Sequence, residues 1–267
     1  MLHRTVSAAF LALLLAACAT TPTGRRQVMM VDDQQMGQLG AQAFAQLRSD
    51  GKVSGDARQR TYVRCIADAL IAELPEPWRS LDWEVEVFLD DTPNAFALPG
   101  GKVGVNTGMF KVAESADQLA AVVGHELGHV MYRHGGERLS QQLLAQAGLT
   151  VAAVAANMRS SENAGLVLSA LGAGAQVGVL LPFSRKHETE ADLEGQRLMA
   201  RAGFDPAAAI TLWQRMAQAG GSRVPTFLST HPNPQGRMAQ LQANLPEVAP
   251  LFAQAHAQGR SPSCRLQ

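Results

Sequence analysis

Apolar residues recur at helical spacing over most of this chain and alternate over one short part of it. Residues 32–49 carry the first helical pattern and residues 56–74 the second, in which Val63, Ile66, Ala67, Leu70, Ile71 and Leu74 share a face. "LPEP" at 74–77 stops that second helix. The period then changes. In "DWEVEVFL", residues 82–89, Trp83, Val85, Val87 and Leu89 occupy alternate positions, which predicts a half-buried strand. A turn-rich "DDTPNAFALPGG" follows at 90–101, and "KVGVNTGM" at 102–109 reads as a second strand. Ser115, with Gln118 three residues on, opens another helix that Gly135-Gly136 closes, predicting a helix over 116–134. Residues 184–203, "SRKHETEADLEGQRLMARAG", form a further helix ended by Gly203. The fold class is α+β, mostly helical, with one small β-sheet.

Composition places this core behind a leader. His3 and Arg4 precede an apolar run from Val6 to Ala17, too short to span a bilayer and suited to a secretory signal over 1–17. Leu15-Ala16-Ala17-Cys18 resembles the lipobox of bacterial lipoproteins, which implies lipidation of Cys18. Ala19 resembles the outer-membrane sorting pattern. Residues 18–30 are then a lipidated tether, with Thr, Pro, Gly and Arg over 19–27, and 31–267 a single domain. The 23 basic and 23 acidic residues form no basic stripe, which excludes nucleic acid as a partner. Cys65 and Cys264 remain as an even pair for a possible disulfide; two unpaired buried thiols are the alternative. Residues 164–183 approach a membrane span in length, but Ser169, Gln176 and four glycines weaken it. Residues 137–183 read instead as small-residue helices packed near the 116–134 helix.

The chemistry lies in "AAVVGHELGHVMYRHGG", residues 120–136. His125 and His129, four apart, share one helix face, and Glu126 lies about 100° round the helix, within reach of a water held between them. This is HExxH, two imidazole ligands and a general base, on a helix that Val122, Val123, Leu127 and Val130 bury. His134 is nine residues from His125 and points to the opposite side of a continuous helix. On the 184–203 helix, Glu188, Asp192, Gly195 and Met199 share a face, whereas Glu190, Glu194, Arg197 and Arg201 can pair among themselves in solvent. Glu188 is the better third ligand and Asp192 the partner of a ligand histidine; Glu190 stays open as the alternative ligand. His187 reads as a surface histidine.

"NAFALPGGKVGVNTGM", "HELGH", "SRKHETEAD" and "STHPNPQGRM" together resemble the HtpX and CaaX-prenyl-protease family of zinc metallopeptidases, including periplasmic lipoprotein-type members similar to LoiP and BepA. The resemblance runs from about Val31 to Leu245. It implies a zincin-like core, one Zn2+ per chain held by His125, His129 and Glu188, Glu126 as base, Asp192 behind the ligands, and His231 and Arg237 near the metal. It implies unfolded or misassembled envelope proteins as substrates, a lipid anchor on the periplasmic side of the outer membrane, and a link to outer-membrane assembly machinery. A chaperone-like lipoprotein with latent protease activity, or a hydrolase of a non-peptide amide, are the other classes. No transmembrane helix is expected before HExxH, and no C-terminal repeat domain. The strand end Asn106, Thr107, Gly108 and Met109 is expected to take an extended peptide by strand addition. Pro232 and Pro234 flank Asn233, an expected helix cap, and set His231 on a loop. Whether His231 fills the fourth metal position at rest or only steadies an oxyanion stays open in the sequence.

Overall fold

The computed structural model describes residues 18–50, 52–157, 184–219, 227, 231 and 234–266. Expectations for the leader, for 164–183, and for Pro232 and Asn233 lie outside the described residues. The chain divides into two compact units, one of residues 1–32 with 135–181, the other of 33–134 with 182–267.

In the first unit, the segment read as a tether forms a hairpin. Strand β1 (Cys18–Thr20) pairs antiparallel with β2 (Arg26–Val28). A turn in which the Gly24 N–H donates to the Thr21 carbonyl joins them, and Gly24 takes the positive φ of 81° that glycine adopts without steric cost. Arg25 holds the buried Glu137 through two bonds of 2.7 and 2.8 Å, and Gln27 donates a third of 2.8 Å. These bonds explain why a polar segment is ordered here.

The second unit contains helices α1 (Asp33–Ser49) and α2 (Ala57–Ile71), the latter capped by Asp56, whose side chain accepts from the Arg58 N–H. Its sheet has three strands, β3 (Glu84–Phe88), β4 (Ala95–Leu98) and β5 (Lys102–Asn106), in the order β3-β5-β4. β3 runs parallel to β5 and β4 antiparallel to it. Two readings of this region change. The turn-rich stretch holds β4, too short for its alternation to register, and Gly100 and Gly101, both at φ 83°, fold it back onto β5. The Phe96 ring lies where a Cβ on Gly104 would come within 2.2 Å, so that glycine makes room for it. Second, "NTGM" is not a strand. The chain leaves β5 at Asn106 and tightens into a 3-10 turn over Thr107–Lys111, burying Gly108 and Met109. β5 is paired on both sides, so Asn106 to Met109 offer no edge for strand addition. Leu89 lies beyond β3 and is exposed.

Helix α3 (Ala116–Met131) begins where Ser115 accepts from the Gln118 N–H. It ends three residues earlier than the 116–134 span. Arg133 adopts a positive φ of 57°, which breaks the helix, and α4 (His134–Asn157), which belongs to the first unit from Gly135 on, starts at once and runs through Gly135-Gly136. Helices α5 (Arg185–Ala202), α6 (Ala208–Ala219) and α7 (Pro234–Ala257) complete the second unit. Gly203, left-handed at φ 89°, ends α5 as its position suggested. α3 is buried along its whole second half. Cys65 on α2 and Cys264 are joined by a disulfide. Among the described residues no helix is long and apolar enough to cross a membrane.

Candidate metal centre

α3 and α5 meet backbone to backbone at glycine. A Cβ on Gly195 would stand 2.7 Å from the His125 nitrogen, and one on Gly128 would stand 2.9 Å from the Ala191 carbonyl oxygen. This approach brings the short acidic side chains of α5 to the histidines of α3. His125, Glu126, His129, Glu188 and Asp192 are all buried.

The ligand atoms converge. His125 Nε2 and His129 Nε2 lie 3.0 Å apart, and Glu188 places Oε2 3.7 Å from the first and Oε1 3.5 Å from the second. One ligand atom each from His125, His129, Glu188 and His231 lies within 4.8 Å of the other three. Glu188 Oε1 and Glu126 Oε1 are buried and accept no hydrogen bond among the described residues. Two imidazole nitrogens beside an unsatisfied carboxylate fit a metal ion of zinc's preferences.

Around these candidate ligands the charged groups stand in direct contact. Asp192 accepts from His125 Nδ1 at 2.9 Å and from Arg237 Nε and Nη2 at 2.6 Å each. Arg237 also stands 2.8 Å from Glu188 Oε2, with its guanidinium 3.6 Å from the centre of the Trp213 ring. Burial works to raise the Asp192 pKa, but the charge and hydrogen bonds of Arg237, then those of His125, bring it to about 2. Burial, helped by Arg237 and opposed by Asp192, lowers His125 to about 4. His129 is held well below the ordinary imidazole value by burial and then by its neighbouring histidines. Burial lifts Glu188 to about 9 against the pull of Arg237. Glu126 rises to about 8, again through burial, although the Ala97 N–H donates to its Oε2 at 3.3 Å. Without a cation the centre therefore holds neutral imidazoles and disfavours carboxylate charge on both glutamates.

His231 lies at this centre, with Nε2 3.5 Å from Glu126 Oε1 and its ring stacked on Phe227 at 4.2 Å. Arg237 lies in the first turn of α7. Other placements differ from the sequence reading. His134 does not point away, because the break at Arg133 turns it back so that its Nδ1 lies 2.9 Å from His129 Nδ1. His187 is buried, not at the surface, and stacks on His134 at 4.3 Å. The face of α5 read as solvated is largely covered: Glu194 is buried beside Arg197 and Arg201, and Glu190 reaches His134. Glu190 reaches His134 and is not among the converging atoms. Trp213 and Phe227 had no sequence signal, since an aromatic at helical spacing is indistinguishable from core.

The model of Peptidase family M48 matches residues 57–245, which include His125, Glu126, His129, Glu188, Asp192, His231 and Arg237. The chain belongs to peptidase family M48. As an M48 chain it is similar to the mitochondrial metalloendopeptidase OMA1 of Schizosaccharomyces pombe, with 42% identity over 63% of this chain and 48% of the relative. It is similar to the Danio rerio metalloendopeptidase OMA1, with 32% identity over 88% of this chain and 51% of that protein. It is also similar to the beta-barrel assembly-enhancing protease of Escherichia coli, with 29% identity over 82% of this chain and 45% of the relative. The M48 chain thus spans about half the length of the curated relatives it matches.

Proposed function

We propose that this M48 chain is a zinc-dependent endopeptidase of the bacterial cell envelope that removes misfolded or misassembled envelope proteins. The observation that carries the reading is the convergence of His125 Nε2, His129 Nε2 and the Glu188 carboxylate beside Glu126, all of them buried. These three residues would hold a zinc ion, which would supply Lewis acidity towards a water and towards a peptide carbonyl. Glu126 is the group placed to take the proton of the attacking water and to return it to the leaving amine. His231 and Arg237, which lie at the centre, would be the candidates to donate to the developing oxyanion. Asp192 keeps the His125 proton on Nδ1, so that Nε2 would offer its lone pair to a bound ion.

Substrate recognition moves from the end of β5 to β4. β4 is an edge strand whose Ala97 N–H already touches Glu126, so an extended peptide lying along it would bring its backbone to the base. Recognition of backbone suits unfolded chains. The envelope setting and the lipid anchor are supported by the lipobox-like run ending in Cys18, by a disulfide that belongs in an oxidising compartment, and by the likeness to a beta-barrel assembly-enhancing protease.

Zinc content and casein cleavage, measured together, test the reading. The purified protein is expected to hold one zinc per chain, and Glu126→Gln to keep it while losing about 10²–10⁴-fold in turnover. Near-normal cleavage by that variant would refute the assignment of the base. Raised basal cleavage by His231→Ala would place His231 on the metal at rest; lowered cleavage would make it an oxyanion donor. Cys18→Ser is expected to abolish membrane attachment, and an unchanged membrane fraction would refute the anchor.

A further inference from the structure

His129 is held from behind by residues outside the HExxH motif. Its Nδ1 lies 2.9 Å from Nδ1 of His134, and His134 Nε2 lies 3.0 Å from Glu190 Oε2. His134 is fully buried, and His187 stacks on it at 4.3 Å with 21° between the planes, which fixes the ring orientation.

The order of protons follows from the far end. A carboxylate only accepts, so His134 carries its proton on Nε2 towards Glu190, and Nδ1 of a neutral imidazole is then an acceptor. Nδ1 of His129 must donate to it, which makes Nε2 the lone-pair nitrogen of His129. That nitrogen faces His125 Nε2 and Glu188. On the other ligand Asp192 sets the same proton arrangement directly. The two histidines of α3 are therefore oriented by two carboxylates of α5, one of them acting through an intervening ring.

We propose that His134 and Glu190 form a relay that fixes the tautomer and orientation of His129 as a metal ligand, which makes both of them positioning residues. The proposal rests on the site being a metal centre. Groups in this position elsewhere typically change metal affinity by about 10–100-fold when removed. If His134 only filled space, side-chain shape would matter and the acceptor would not.

Zinc affinity, read by competition with a chromophoric chelator, and the visible spectrum of the cobalt-substituted protein separate these roles. His134→Leu fills much of the volume without an acceptor and is expected to weaken zinc about 10–100-fold and to shift the cobalt bands. His134→Asn, whose side-chain oxygen lies near the Nδ1 position, is expected to recover most of that loss. Glu190→Leu removes only the group that fixes the His134 proton and should lose less than His134→Leu. Should His134→Leu not fold, His134→Gln replaces it, because its oxygen sits one bond too far out and the loss should persist. Wild-type affinity in His134→Leu, or a loss in His134→Asn as large as in His134→Leu, overturns the relay. A wild-type protein that binds no zinc would instead overturn the metal reading itself.

Discussion

Glu126, Glu188 and His125 each carry a folded-state pKa displaced by burial, and the signs oppose. His125 falls from its ordinary 6.5 to about 4, so the unfolded chain takes up that proton first, and the metal-free protein loses this stability as pH falls from 6.5 towards 4. Glu126 and Glu188 rise from 4.5 to about 8 and about 9, so the folded chain keeps protons that the unfolded chain releases. Their contribution to the metal-free protein is lost as pH rises above 4.5. A bound zinc favours neutral imidazole and ionised carboxylate together. The Tm difference between zinc-loaded and chelator-treated protein is therefore expected to widen from pH 5 to pH 8, and scanning calorimetry across that range checks it. A constant difference would show that these side chains do not hold the ion. At this scale helical spacing put His125 and His129 on one face of their helix with Glu126 beside them, and Glu188 with Asp192 on one face of theirs. It left Glu190 open as a ligand, because spacing does not tell which face of a helix is covered. His134 was hidden because its direction depends on one left-handed residue, Arg133, which no periodicity announces.

Between elements, the decisive contact is α3 against α5. With a Cβ on Gly195 only 2.7 Å from the His125 nitrogen and 2.8 Å from the Gly124 carbonyl carbon, the obstacle is backbone and cannot swing aside. Gly195→Ala is expected to cost about 1–3 kcal/mol through overpacking. It should also weaken zinc binding, because the helices must separate and carry Glu188 away from the histidines. Gly148→Ala on α4 meets nothing within 4 Å and should gain up to about 1 kcal/mol of helix propensity with unchanged zinc affinity. Urea denaturation and zinc titration of the pair check this; equal behaviour of the two variants would mean that the close approach is not required. The helices themselves were legible from signals such as the Ser115 cap and the closing Gly203. β4 was not, since four residues with two glycines behind them look like a turn until β5 is beside them. The central position of β5 was hidden too, because alternation predicts a strand but not its neighbours.

For the whole molecule, the mostly helical α+β class was readable from the change of period at residue 82, and the site from four motifs scattered over more than a hundred residues of chain. The hairpin of β1 and β2 was not, because its order comes from Glu137, far along the sequence. The Cys65–Cys264 bridge has a separation of 199 residues and encloses α3, α5 and α7 in one covalent loop. Under the proposed peptidase activity the chain is exposed to its own chemistry, and a single cut anywhere inside that loop would leave the two pieces joined. Nicked protein would migrate as one full-length species until a reductant is added and only then separate into fragments. After a cut between them, His125 and Glu188 would lie on separate pieces that the Cys65–Cys264 bridge still holds together.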